Sequence, residues 1–232
     1  MNKETIIALD FDSRDKTLEF LDKFQEKLFV KIGMELFYRE GPGIIREIKS
    51  RNHRIFLDLK LHDIPNTVKK ATISLLNLDV DMINYHVAGG REMLRTAQNS
   101  VSEKEGLITL GVTMLTSTSE DNMHDDILID INYSLKETVM SYAKLAKECG
   151  LNGVVCSALE VPSIKEFLGG DFLCVTPGIR PKTYGKDDQK RVVTPGKAKE
   201  LGADFIVVGR PITQSKDPVK TYNEINREFL GE

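Results

Sequence analysis

The stretch Arg54-Ile55-Phe56-Leu57-Asp58-Leu59-Lys60-Leu61-His62-Asp63 alternates with the period of two that belongs to a β-strand. Ile55, Leu57, Leu59 and Leu61 fall on one face, and Phe56, Asp58, Lys60 and His62 on the other. An aliphatic face of this kind is expected to meet a layer of helices. Asp58 and Lys60 then point inward, where a charge costs several kcal/mol unless it is paired. Such charges need a reason, and the rest of the chain supplies one.

Similar β-rich runs recur on both sides: Thr5–Leu9, Leu28–Ile32, Ile55–Leu59, Met82–His86, Leu107–Val112, Gly153–Cys156, Phe172–Thr176 and Phe205–Val208. Between them lie segments of helical period. Leu18, Leu21, Phe24 and Leu28 share one expected helix face, Ile64, Val68, Ala71 and Leu75 another, and Val139, Ala143 and Ala146 a third. Gly150 follows the helix ending at Cys149, Thr194-Pro195 opens a helix that Gly202 closes, and Asp217-Pro218 opens the last one, with Val219, Tyr222, Ile225 and Phe229 on its face. Strict alternation of strand and helix implies a parallel sheet. Eight such units in 232 residues fit a closed (β/α)8 TIM barrel, a fold of typically about 250 residues. A doubly wound open sheet usually carries G-x-G-x-x-G after its first strand, and Asp10-Phe11-Asp12-Ser13 does not resemble it. We read residues 1–232 as a single barrel domain, with no linker, low-complexity stretch or further repeat.

Composition narrows the function classes. The 32 basic and 35 acidic residues give a formal net charge of −3, so no global field attracts nucleic acid or an anionic membrane, and an anion has to be held by local groups. Cys149, Cys156 and Cys174 are odd in number and lack metal-ligand spacing, which points to reduced thiols in a cytoplasmic protein. No uncharged apolar run approaches membrane-spanning length, and Lys3-Glu4 ahead of Thr5–Asp10 is not expected to be a signal peptide.

In a TIM barrel the working groups sit where strands end and βα loops begin. Asp10, Lys31, Asp58, Lys60 and His86 fall at such ends, as do Pro177-Gly178-Ile179-Arg180 after the seventh strand and Gly209-Arg210 after the eighth. Gly209 allows close approach of backbone to a ligand, and Arg180 and Arg210 offer planar cationic forks. Loops seven and eight form the phosphate site common to this barrel class, so a phosphate monoester is the expected ligand.

The blocks also resemble a known family. Asp58-Leu59-Lys60-Leu61-His62-Asp63-Ile64-Pro65-Asn66-Thr67 is similar to the Asp-x-Lys-x-x-Asp, Ile-Pro-x-Thr signature of orotidine 5′-monophosphate decarboxylases. Ala8-Leu9-Asp10, Val30–Glu35, His86–Gly90, Val112–Ser117, Thr176–Arg180, Asp188-Gln189-x-Arg191 and Val208–Pro211 resemble further blocks of that family, in its order. Related sugar-phosphate barrels share Asp-x-Lys-x-x-Asp, so the other blocks carry the distinction. The departure is Val87, where relatives commonly have a small residue. His86 is left without a role.

The resemblance implies decarboxylation of orotidine 5′-monophosphate to uridine 5′-monophosphate in de novo pyrimidine biosynthesis, with no cofactor and no metal. It implies that Asp10 and Lys31 contact the ribose hydroxyls and that Lys31 joins Asp58, Lys60 and Asp63 in a charged array. Thr116 and Ser117 would read the pyrimidine amide edge and Pro177 would pack beside the ring. Arg180, Gln189, Gly209 and Arg210 would hold the phosphate, Gln189 from the loop Gly185–Gln189 acting as a lid. Asp63, Ile64 and Thr67 would enter the neighbouring subunit's site, making the unit a homodimer. Loss of CO2 from C6 leaves an electron pair in the ring plane that only a dry, preorganised field can stabilise. Lys60, kept cationic by flanking carboxylates, is then the expected proton donor.

Two other readings compete. A sugar-phosphate lyase on the same barrel would need Mg2+ for an enediolate; a nucleotide-phosphate binder would need the phosphate loops without the Asp58, Lys60 and Asp63 array. Asp121–Asp126 is read as solvated loop charge rather than a metal site, and Cys156-Ser157, without a G-x-S-x-G elbow, as core packing.

Overall fold

The computed structural model describes residues 3–181 and 192–231. Gln189 and the rest of the stretch expected to form a lid, with Asp188 and Arg191, lie outside the described residues. Eight strands form the barrel: β1 (Glu4–Ala8), β2 (Phe29–Gly33), β3 (Arg54–Leu61), β4 (Met82–His86), β5 (Ile108–Val112), β6 (Gly153–Val155), β7 (Leu173–Thr176) and β8 (Phe205–Val208). They pair in parallel in chain order, and β8 returns to β1 through Ile6↔Val207 and Ile7↔Val208. This is the expected (β/α)8 barrel, with each strand within about two residues of its expected bounds.

Alternation along the strands makes two apolar layers. Ile6, Phe29, Phe56, Met82, Leu110, Val175 and Phe205 fill the barrel interior. Ile7, Val30, Ile55, Leu57, Ile83, Val154 and Ile206 face outward onto the helices. At Gly153 a Cβ would lie 2.2 Å from the Leu173 carbonyl oxygen, so only glycine lets β6 and β7 approach. Val87, the family departure, is fully buried, and a Cβ on Gly111 would lie 2.6 Å from its Cγ2. Glycine on β5 thus makes the room that the larger side chain fills.

Helix ends follow local chemistry. Thr194 and Asp217 accept the Lys197 and Lys220 N–H groups as N-caps, as their Thr-Pro and Asp-Pro pairs suggested. Three expectations need correction. The helix Arg14–Leu21 stops before Phe24 and Leu28. Leu28 instead precedes β2, its N–H given to His53 Nδ1 at 3.1 Å, and both residues are buried from the chain that follows the helix. Ile64 is not on the buried face of Pro65–Leu76: it is the N-cap residue and 68% exposed. The acidic run Asp121–Asp126 lies mostly in the helix Glu120–Asp125, capped by Ser119, rather than in a loop. No group of three His, Cys, Asp or Glu side chains placed to hold a metal occurs among the described residues, nor any helix long and apolar enough to cross a membrane.

Candidate active site

The inward-facing residues at the C-terminal ends of β1 to β3 build a ladder of alternating charge. Asp10, just past β1, accepts from Lys31 Nζ on β2 at 3.0 Å. The same ammonium lies 3.5 Å from Asp58 Oδ2 on β3, and Asp58 Oδ1 is 2.7 Å from Lys60 Nζ. Lys31 and Asp58 side chains are each only 11% exposed, so neither charge survives alone. Burial works against the Lys31 ammonium, but Asp58 and Asp10 outweigh it and hold the group above the usual lysine value. Burial likewise works against the Asp58 carboxylate; Lys31, Lys60 and an amide from β4 outweigh it and hold its carboxyl below the usual range.

The backbone at this point departs from a regular strand. Partners run Phe56↔Met82 and Leu57↔Ile83, then resume only at Leu61↔Tyr85, so the ladder between β3 and β4 slips across Asp58–Lys60. Lys60 itself has φ of +51°, a left-handed conformation that costs a side-chain-bearing residue about 1–2 kcal/mol. Two hydrogen bonds from Asn84 hold it there: Lys60 N–H donates to Asn84 Oδ1 at 2.8 Å, and Asn84 Nδ2 donates to Asp58 Oδ1 at 2.7 Å. Asn84 is 1% exposed and was not among the residues singled out from sequence. Its signal was there, since Met82, Asn84 and His86 share the inward face of β4 beside the strand carrying the charges.

Lys31, Asp58 and Lys60 form one wall of a cavity of about 210 Å³. The cavity is also lined by Phe56, Val112, Met114, Val155 and Val207, and by the less buried Thr116, Ser117 and Pro177; Cys156, 1% exposed, lines it too. In a wider groove of about 690 Å³ beside the helix Leu135–Glu148 the charged residues, Lys136, Glu137 and Lys144, are all exposed, so size does not select the site.

Asp10, Arg180, Gly209 and Arg210 are outside the cavity lining, at the ends of β1, β7 and β8. A Cβ on Gly209 would lie 3.6 Å from Asp10 Oδ2, which places the eighth loop against the first carboxylate. Arg180 is half-buried, its backbone N–H given to the Val193 carbonyl at 2.9 Å. Gly33 is a second residue that sequence did not single out: a Cβ there would be 3.1 Å from Lys31 Nζ and 3.4 Å from Asp10 Oδ1. Asp63, Ile64 and Thr67 are exposed and absent from the cavity wall of their own chain. The Asp63 carboxylate accepts the Ile64 N–H at 2.7 Å, and no ion pair joins it to Lys60. His86 lies 5.7 Å from His62, ring to ring; burial, then His62 and Lys60, lower its pKa and favour the neutral ring.

A family model, that of the orotidine 5'-phosphate decarboxylase / HUMPS family, matches residues 3–225. The chain belongs to this family. It is 55% identical over 232 residues to an orotidine 5'-phosphate decarboxylase of Staphylococcus saprophyticus, covering all of both chains. It is 56% identical over 228 residues to one of Streptococcus pyogenes, covering 97% of each. The crystal structure of orotidine 5'-phosphate decarboxylase from Lactobacillus acidophilus superposes with a TM-score of 0.88 at 40% identity, covering 98% of this chain and 99% of that one. Within the decarboxylase family frame, the ladder on β1 to β3 falls on the blocks that suggested the resemblance.

Proposed function

We propose that the protein decarboxylates orotidine 5′-monophosphate to uridine 5′-monophosphate in pyrimidine biosynthesis, without a cofactor. The observation that carries this reading is the Asp10–Lys31–Asp58–Lys60 chain of alternating charge, whose last three members line a cavity of mostly apolar side chains. In that cavity the pyrimidine ring lies among the charged and the apolar side chains, with Thr116 and Ser117 at its amide edge and Pro177 beside it. Asp10 and Lys31 take the ribose hydroxyls. Arg180, Gln189, Gly209 and Arg210 take the phosphate.

In this reading the C6–carboxylate bond breaks heterolytically, CO2 leaves, and the pair remains on C6. The Lys60 ammonium, fixed beside Asp58, stabilises that charge and gives a proton to C6. The amine then regains a proton from water, so the sum is substrate plus one proton to product plus CO2. Binding energy from the distant phosphate lowers the barrier only where it is realised in the transition state, which is why a strong anion site suits a reaction of this kind.

The second carboxylate of the signature, Asp63, comes from the neighbouring subunit together with Ile64 and Thr67. Their exposure, just after the strand that carries Asp58 and Lys60, supports a homodimer with shared sites. A cytoplasmic setting suits three buried cysteines that form no disulfide.

Ultraviolet loss of orotidine 5′-monophosphate absorbance with pure protein tests the activity. We expect turnover that survives EDTA; a rate abolished by EDTA and restored by Mg2+ would point to the metal-dependent lyase chemistry instead. Mixing Lys60→Ala and Asp63→Ala homodimers tests the sharing. Hybrids with one intact site should recover about a quarter of wild-type activity at equal mixing, and no recovery after proven subunit exchange would refute it.

A further inference from the structure

Asn84 is the buried polar residue of the site that the mechanism above leaves without a role. It sits in the middle of β4, 1% exposed, with Met82 and His86 on the same inward face. An asparagine at such a place is costly unless its amide is matched. Here the match is specific. The Nδ2 group donates to Asp58 Oδ1, the same oxygen that lies 2.7 Å from Lys60 Nζ. The Oδ1 atom accepts the Lys60 backbone N–H at 2.8 Å, where the strand ladder has slipped and Lys60 stands at φ of +51°. Turning the amide over would set NH2 against an N–H and C=O against a carboxylate, so both partners fix one orientation.

A single side chain therefore holds Lys60 at two points: its main chain directly, and its ammonium through Asp58. Removing either bond frees a different part. Without the acceptor, the Lys60 N–H is left unmatched in a left-handed turn that β3 has no ladder bond to maintain. Without the donor, Asp58 can rotate between Lys31 and Lys60 and the ammonium loses its fixed counter-charge. Neither leucine nor alanine can make either bond. Aspartate reproduces the acceptor but donates only when protonated.

We propose that Asn84 is a positioning residue for the decarboxylation, holding the Lys60 ammonium at the reacting carbon through Asp58 and through the Lys60 main chain. This rests on the decarboxylase reading above. The groups that titrate around Asn84 are Asp58 and Lys60 on β3, Lys31 on β2, and His86 with its neighbour His62.

The test is steady-state decarboxylation by the full-length wild type, Asn84→Ala and Asn84→Asp across pH, with thermal melts of each. Asn84→Ala should lower kcat about 100-fold while KM changes by less than about threefold. Asn84→Asp has the native shape, and its carboxyl shares a proton with Asp58 at low pH. Its kcat should approach that of wild type at the acid end and fall as pH rises through the raised pKa of the pair, a decline that wild type lacks. Two results overturn the proposal. One is kcat within about threefold of wild type in folded Asn84→Ala, even with a lowered melting midpoint, which marks a purely structural role. The other is an Asn84→Asp profile parallel to that of wild type. Should wild type itself fail to release CO2, the decarboxylase reading falls first and this one with it, an outcome visible before any variant is compared.

Discussion

The two ends of β3 carry the same kind of chemistry and use it differently. At the N-terminal end, Arg54 lies 2.5 Å from Glu4 on β1 and stacks 4.2 Å above the Phe29 ring, which meets Phe205 edge-on at 5.9 Å. Nearby pairs, Lys49–Asp81 at 2.9 Å and Lys165–Asp204 at 2.7 Å, also spend carboxylate oxygens on the Ile55 and Cys174 N–H groups at strand starts. Charge there is tied to backbone and covered by rings. At the C-terminal end, Asp58 and Lys60 are tied to one another, to Lys31 and to Asn84, and their open side is a cavity. Acid–base pairs alone do not mark a site; what lies over them does. The backbone agrees, because the left-handed residue of β3 is at the cavity end.

Substitutions at the two ends should separate activity from stability. Asp58→Asn has the largest effect of those at the upper end, since it leaves the Lys31 and Lys60 cations facing one another across a neutral amide. We expect kcat/KM to fall about 1,000-fold, read from initial rates. It should also change stability against pH in a set direction. The lowered Asp58 carboxyl contributes stability that is whole above its unfolded value of about 3.9 and is lost as pH falls through the lower folded value. The raised Lys31 ammonium contributes stability that is whole below about 10.4 and is lost as pH rises through the higher folded value. Urea titrations should therefore show a shallower acid-side loss in Asp58→Asn than in wild type; parallel curves below about pH 4 would contradict the pairing.

Gly33→Ala is a milder probe of the same end. Its Cβ would press on Lys31 Nζ and Asp10 Oδ1, so KM should rise about tenfold with a smaller change in kcat, if those groups hold the ribose. Arg54→Ala at the lower end should leave kcat within about twofold of wild type while unfolding free energy drops by about 1–2 kcal/mol, measured in urea.

Much of this division was legible in the sequence because it follows from period and spacing. Alternation alone turned Asp58 and Lys60 inward, and eight strand–helix units implied a closed barrel whose C-terminal strand ends collect Asp10, Lys31, Arg180 and Arg210. What escaped depends on geometry that no residue type announces. A lysine at positive φ leaves no trace in the pattern, so the inward face of β4 marks Asn84 as a buried polar residue but the slip between β3 and β4 that it bridges is not legible. Gly33 carries no signal of its own in the sequence, because its constraint is close approach to Lys31 and Asp10, side chains brought there by other strand positions. The exposed Ile64 was assigned both to a buried helix face and to a neighbour's site; only the second is compatible with its position outside the helix.

The account turns on Lys60 as the group that answers the charge left at C6. The most direct measurement is formation of CO2 and uridine 5′-monophosphate by Lys60→Ala, run beside Arg54→Ala in the same EDTA-containing buffer. We predict a loss of at least about 1,000-fold in kcat/KM for Lys60→Ala with an unchanged or higher melting temperature, and near wild-type turnover with a lower melting temperature for Arg54→Ala. Near wild-type decarboxylation by folded Lys60→Ala would contradict it.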